Sequence, residues 1–440
     1  MKRVIFFILS FAFVKQTWGY SLSNDTLKYD IATWLDYKDA AISFTYDDNS
    51  ITQFSIGIPL LDKYNLPGTF FVITKQIDDG FCGLTWKYLK SLTDNGHEIA
   101  SHTVNHLQLN KLSSKDCERE LKESQHRIEE MIPGYKCETI AYPGSSTNDT
   151  AIALAQKYYI AARSGGGKSE LKNPPNFWNL NSFILDSNSS TELMNHYIDY
   201  SLSFKGWCIE MIHGIDSLGH DPINSHKWEE HLKYVKKNET KIWAGTMKDV
   251  VKYIKERQSA KVHFSSITDS MIRFTVNSDL DKNIYGEPLT LSVNLPAGFD
   301  SVAIYKNDVR VSYSMRKDFK GKAVVFNTVP DGGEIIFQKI FTTKQENNGN
   351  GDLNGYQLFQ NYPNPFNPVT NIVFRIPQRS NVKIKVYDML GRLVADLLDE
   401  DMNAGIGEVK FNGSKLRSGI YTYEILAQNF HKKLKMNLIK

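Results

Sequence analysis

The sequence predicts an α/β protein: a (β/α)7-8 barrel over residues 38–257, followed by two small antiparallel β-sandwiches at 259–341 and 356–440. Three observations predict it. From about residue 40 to 257, short β-rich apolar runs alternate with segments of helical periodicity, which implies parallel strands joined by crossover helices. Near Gln258 the helical rhythm stops, and only strand-like runs bounded by Gly, Pro, Asn and Asp remain. A polar stretch rich in Gly and Asn, 342–355, then separates the last two strand-rich segments as a flexible linker would.

Within the alternating region the strand candidates lie at residues 40–46, 68–74, 98–103, 138–143, 158–163, 181–186, 207–213 and 241–245. Helical segments fall between them, with Gly96 as a C-terminal stop and Ser113 or Ser114 as an N-cap. Seven or eight such units in about 220 residues suit a barrel, and a doubly wound open sheet is the rival. In the C-terminal region, runs such as 370–377, 381–388 and 419–427 read as strands of a second sandwich.

Composition narrows the function. The chain has 440 residues, 41% of them hydrophobic, so a sizeable core is available. Its 52 Lys+Arg against 49 Asp+Glu leave a net charge of +3, which argues against nucleic acid as a partner. Lys2 and Arg3 precede an apolar run at 4–14, and Gly19 follows, so residues 1–19 read as a secretory signal peptide. That run is too short to span a bilayer, and no later stretch is longer. Export is therefore expected, with no transmembrane segment in the mature protein.

Four clusters fall at the C-terminal ends of predicted strands, where barrel enzymes carry their chemistry. Asp47 and Asp48 close the first strand; an isolated Asp-Asp pair is most often a turn or cap. His102 and His106 stand at i, i+4, a spacing that binds one metal ion when both rings share a side. Residues 141–144, Ala-Tyr-Pro-Gly, end a strand in a tight turn, which alone says little. His213 ends an apolar strand, where a lone His is usually a hydrogen-bonded core residue. Together these groups supply two His and one carboxylate for a metal, a second carboxylate as base and a separate His as acid. They make a complete set of parts for metal-assisted hydrolysis.

Residues 45–48 (TYDD), 102–106 (HTVNH), 141–144 (AYPG) and 211–214 (MIHG) resemble successive motifs of the polysaccharide deacetylases, carbohydrate esterase family four. The resemblance covers about residues 38–257. It implies a (β/α)7 barrel and a divalent metal, zinc, held by Asp48, His102 and His106. It further implies Asp47 as general base, His213 as general acid and the Gly144 amide as an oxyanion donor. The implied partner is an acetylated polysaccharide: an N-acetylated glycan such as chitin or peptidoglycan or, in some members, O-acetylated xylan. A glycan-binding surface protein of weak or no turnover is the rival from another class.

The chain departs from that pattern twice. Many members begin the third motif with an Arg that orients the base, and Ala141 stands there instead. Arg163 ends the next predicted strand on the same face and is expected to take its place, with its guanidinium near Asp47. The family's Asp and Trp flanking the acid His are not cleanly present; Asp186 and Trp178 are the candidates. The four cysteines stand at 82, 117, 137 and 208. Cys117 is expected at the catalytic end and Cys137 at the far end, roughly 20 Å away at 1.5 Å per helical residue, too far for a disulfide. Cys82–Cys117 is the pair left to offer.

Residues 356–368 (YQLFQNYPNPFNP), 389–394, 416–425 and the Lys-rich end resemble a type IX secretion sorting domain. That resemblance implies passage through the periplasm by the type IX secretion machinery, with the product secreted or attached to the outer cell surface. The sandwich at 259–341 carries no readable motif, and a structural role is expected for it.

Overall fold

The computed structural model describes residues 27–318, 321–340 and 355–439. The expected signal peptide and all but the last residue of the expected linker lie outside the described residues. The chain divides into two compact units, one ending at Lys339 and the other beginning at Ile340.

The first unit is built on a curled parallel sheet. After a short strand β1 (Tyr29–Ile31), its strands are β2 (Ala40–Asp47), β3 (Gly68–Val72), β4 (Glu98–Ser101), β5 (Thr139–Ala141), β6 (Ala161–Arg163), β7 (Phe183–Leu185), β8 (Trp207–Ile212) and β9 (Ile242–Ala244). The order is β6-β5-β4-β3-β2-β8-β7, and β9 pairs with the start of β2. The two ends of this sheet meet through Leu180, just before β7. Its N–H donates to the Ala162 carbonyl (3.0 Å), and its own carbonyl accepts from Ser164 N–H (2.8 Å). Seven strands thus curl into a barrel with helices outside, as the alternating pattern implied.

Side-chain alternation explains why the strands read as almost wholly apolar. Ile42, Phe44 and Tyr46 of β2, with Phe70, Ile99, Ile140 and Ile212, face the helices and build the larger core. Ala41, Phe71, Ala100, Ala141, Ala161 and Ile209 have the opposite parity and form a second cluster inside the barrel. Most of these inner residues are alanines, and they leave room for the long Arg163 side chain. Its guanidinium carbon lies 5.0 Å from the centre of the Phe71 ring. Near the strand starts, buried Glu98 accepts from the hydroxyls of Thr69 (2.9 Å) and Thr139 (2.5 Å) and from Lys248 N–H (2.9 Å), satisfying a buried carboxylate.

The sandwich after the barrel belongs to the same unit. A five-stranded antiparallel sheet contains Lys261–Ile267, Met271–Asn277, Ile335–Lys339, Val302–Lys306 and Val309–Arg310. Facing it, a four-stranded sheet contains β1, Leu289–Asn294, Gly321–Thr328 and Ser314–Asp318. The sandwich therefore takes its edge strand from before the barrel: Tyr29–Ile31 pairs antiparallel with residues 291–293. The second unit is a sandwich of three and four antiparallel strands around Ile372, Phe374, Ile384, Tyr423 and Ile425. Among the described residues, no helix is long and apolar enough to cross a membrane.

Cys117, Cys137 and Cys208 are free and buried. The Cys82–Cys117 pairing offered from sequence therefore does not form. Cys117 sits on the inner side of the helix Ser114–Met131, in the core, and the Cys82 side chain lies outside the described residues.

Candidate active site

The site is assembled at the C-terminal ends of β2, β4, β5, β6 and β8. Asp47 is the last residue of β2, His102 follows β4 and His213 follows β8, and all three have the parity that points into the barrel. Asp48 falls on the opposite parity, yet its carboxylate reaches the same cleft. The backbone makes this turn in the left-handed region, with φ of 73° at Asp48 and 55° at Asn49, a conformation that Asp and Asn tolerate better than other non-glycine residues. Asn49 holds the turn: its side chain donates to the Ile73 carbonyl (3.0 Å) and accepts from Ile73 N–H (3.3 Å).

Asp48, His102 and His106 offer ligand atoms that all lie within 4.8 Å of one another. The Asp48 Oδ1 atom is 3.3 Å from His102 Nε2 and 3.1 Å from His106 Nε2. That oxygen is buried and makes no well-aligned hydrogen bond, and both imidazole nitrogens approach it. His102 Nδ1 lies 2.8 Å from the Ala141 carbonyl, which can only accept, so Nδ1 carries the hydrogen of that bond and the ring is held with Nε2 towards the cleft. The donor set of one carboxylate and two imidazoles suits a divalent metal and leaves coordination positions open. Burial works against charge on Asp48, but the two imidazoles outweigh it and hold the carboxyl well below the usual range. Asp48 in turn pushes His106 above its ordinary value, against partial burial.

The loop carrying the two His is itself held. Thr103 and His106 have φ of 67° and 60°, and His106 N–H donates to the Thr103 hydroxyl (3.0 Å). Glu120, on the helix Ser114–Met131 and 1% exposed, accepts from Val104 N–H (3.0 Å), Asn105 N–H (2.8 Å) and the Asn105 side chain (2.7 Å). Nothing in the sequence pattern marks Glu120, because its spacing simply continues the buried face of an amphipathic helix.

Asp47 is 3% exposed and lies beside this cluster, its Oδ2 atom 3.9 Å from His102 Nε2. Arg163 Nη2 donates to both of its carboxylate oxygens, at 2.6 and 2.5 Å. Residues 35–162 match the family described as polysaccharide deacetylase, and residues 360–440 match the secretion system C-terminal sorting domain. The chain carries a polysaccharide deacetylase domain. It is also 26% identical over 332 residues to a gellan lyase of a Bacillus species, covering 70% of this chain and 13% of that protein. It is 25% identical over 123 residues to a chitooligosaccharide deacetylase of Sinorhizobium fredii, covering 28% of this chain and 55% of that one. Among solved structures it resembles Streptococcus pyogenes deacetylase PplD in complex with acetate, with 27% identity, 35% of this chain and 69% of that chain covered, and a TM-score of 0.33. The chain thus spans 13% and 55% of the length of these two curated relatives.

In the deacetylase domain Ala141 and Arg163 are register partners on adjacent parallel strands, so their side chains leave the sheet on the same face. Gly144 lies exposed in the turn after β5 with φ of 57°; the turn's own hydrogen bonds come from Ser145 and Ser146 N–H. His213 is half-buried, and burial pushes it below its ordinary value, against the pull of Asp47 and Asp48. The ring of exposed His220 stands edge-on to it, with centroids 5.5 Å apart. Asp186 and Trp178 engage other groups. The Asp186 carboxylate accepts from Asn188 N–H (2.9 Å) and the Ser189 hydroxyl (3.1 Å), capping its own turn. Trp178 Nε1 donates to the Tyr159 carbonyl (3.1 Å), back towards the strand starts.

Proposed function

We propose that this protein is an exported, metal-dependent hydrolase that removes acetyl groups from an extracellular polysaccharide, an N-acetylated glycan in the first instance. The observation that carries the reading is the juxtaposition of the Asp48, His102 and His106 cluster with a second, Arg-bound carboxylate at Asp47. We assign the metal as zinc, which would supply Lewis acidity to the attacking water and to the acetyl carbonyl. Asp47 takes the proton of that water, and Arg163 holds its carboxylate in one rotamer through hydrogen bonds to both oxygens. The Gly144 amide donates to the oxygen that gains charge as the carbonyl carbon becomes tetrahedral. His213 gives a proton to the departing amine or, for an ester, the departing alcohol, and acetate leaves. Ala41, Ala100, Ala141 and Ala161, clustered inside the barrel with Arg163, keep water away from the buried pair, which strengthens it.

The sorting domain supports export by the type IX machinery, through the periplasm to the medium or the outer surface. Acetate release from a panel of N- and O-acetylated glycans, with and without added zinc, tests the reading. Zinc-dependent release from one class is expected. No release from any member of the panel would leave the glycan-binding alternative in its place.

A further inference from the structure

The Gln53 side chain joins the two chain segments on which the proposed base and acid stand. Strands β2 and β8 pair in parallel register as far as Tyr46 and Ile212. Asp47 and His213 are the next residues on each strand, beyond the last paired position, where the ladder no longer fixes their separation. Gln53 is 1% exposed, and its Nε2 donates to both the Asp47 carbonyl and the His213 carbonyl, the latter at 2.8 Å. A carboxamide nitrogen carries two hydrogens, so one group satisfies both acceptors and ties the two strand ends.

The surrounding contacts repeat the theme. Thr52 accepts from Ile215 N–H (3.0 Å) and donates to the Leu218 carbonyl (3.3 Å), and Ser50 donates to the same carbonyl (3.3 Å). Residues 50–53 are therefore bonded along the segment that follows His213. The chain presents Gln53 at the start of a π-helical turn, Gln53–Gly57, a local widening often found beside functional sites. Gly57 closes the turn against this segment, since a Cβ there would lie 3.1 Å from Ile215 Cδ1.

We infer that Gln53 is a positioning residue that sets the spacing between Asp47 and His213 by holding their backbone carbonyls together. The inference rests on the base and acid roles proposed above. Those roles place the two groups on either side of one reacting carbon, where a displacement of about 1 Å costs about 100-fold in rate.

The test uses the full chain loaded with zinc, compared with Gln53→Met, which keeps the length and volume but has no donor. Metal content is expected to match wild type, because Asn49, Glu120 and the Ala141 carbonyl hold the ligands independently. The turnover number per bound zinc is expected to fall roughly 10- to 100-fold with KM within about twofold. A residue that only stabilised the fold would lower Tm and leave turnover per bound zinc unchanged, and that result overturns the inference. A crystal structure of the same variant gives a readout independent of turnover. The Asp47 and His213 backbones should move apart, and an unchanged separation overturns the inference whether or not the wild type releases acetate. Failure of the wild type to release acetate counts against the deacetylase reading and leaves that structural comparison to decide on Gln53.

Discussion

Arg163 meets the Asp47 carboxylate at both oxygens, 2.6 and 2.5 Å from Nη2, in a pair almost wholly closed to solvent. Both side chains start from strand ends that the sheet order places four positions apart, with β5, β4 and β3 between them, so the bond spans the barrel lumen. The guanidinium supplies a counter-charge and two hydrogen bonds to a buried carboxylate that stands beside a second one. Arg163→Ala should therefore move the acidic limb of the pH–rate profile upward while leaving metal content unchanged. It should also destabilise the fold by roughly 3–5 kcal/mol, the usual cost of stranding one member of a buried pair. The double variant Ala141→Arg/Arg163→Ala returns a guanidinium from the register-paired position, and its pH profile should move back towards wild type. A single variant with the wild-type profile would remove Arg163 from the mechanism.

Metal dependence is the second expectation. The full chain should bind about one divalent ion, and His102→Ala or His106→Ala should abolish both binding and acetate release. Metal analysis beside the acetate assay checks this. Full activity after exhaustive chelation would rule out the mechanism proposed here.

Asp47→Asn separates base from ligand. An amide accepts no proton from water, so turnover should fall about 10²- to 10⁴-fold with metal retained. A variant within a few-fold of wild type would mean that another group does the work.

The sequence shows some of these relationships and hides others for identifiable reasons. Strand-end positions of Asp47, His102 and His213 are legible because alternation gives each strand its inner parity and chain order gives its end. Arg163 is reachable by strand adjacency, since β6 follows β5 and the two lie side by side. Asp48 is legible as a residue but not as a geometry: on parity alone it faces the wrong way, and only φ of 73° turns it inward. Strand β1 is hidden because three residues carry little periodicity and their partners lie more than 250 positions away. The closing of the barrel at Leu180 is hidden as well, since it rests on a single bridge in a loop-like segment. Gln53 and Glu120 act through backbone atoms of distant segments, and no local pattern encodes such contacts. Asp186 follows Leu185, the register partner of Ile212, yet a nearby hydroxyl and N–H give it a shorter-range turn to cap.

Glu120 gives a prediction that does not depend on the glycan. It is the acceptor for three N–H groups of the His102–His106 loop, whose left-handed residues would otherwise relax. Glu120→Ala leaves those donors unpaired and frees the loop, so zinc affinity should fall about 10- to 100-fold, the usual effect of losing a group that orients ligands. Glu120→Gln keeps one acceptor oxygen and should lose less. Competition with a chelating dye measures both; equal affinity in all three proteins would show that the loop holds itself.

The last prediction concerns stability and lies away from the cleft, in the helix that leads from the barrel into the first sandwich. Glu256 is pushed up to about 7 by burial, although its carboxylate accepts from the Glu287 N–H (2.8 Å). Glu287 is shifted the same way by burial, and Lys252 and Lys248 offset only part of the effect. A carboxyl whose value is higher folded than unfolded binds more protons in the folded state, so it favours folding below its unfolded value of about 4.3. That contribution is lost as the pH rises through about 7. The first unit should therefore lose thermal stability between about pH 5 and pH 7.5, a range in which carboxylates held low in the fold, such as Asp48, are already ionised. Glu256→Gln keeps the oxygen that accepts from Glu287 and removes the charge, so it should raise Tm at pH 8 and flatten the slope. Thermal melts of the metal-free protein across that range decide it. A Glu256→Gln slope identical to wild type would mean that the carboxylate is solvated in the folded chain.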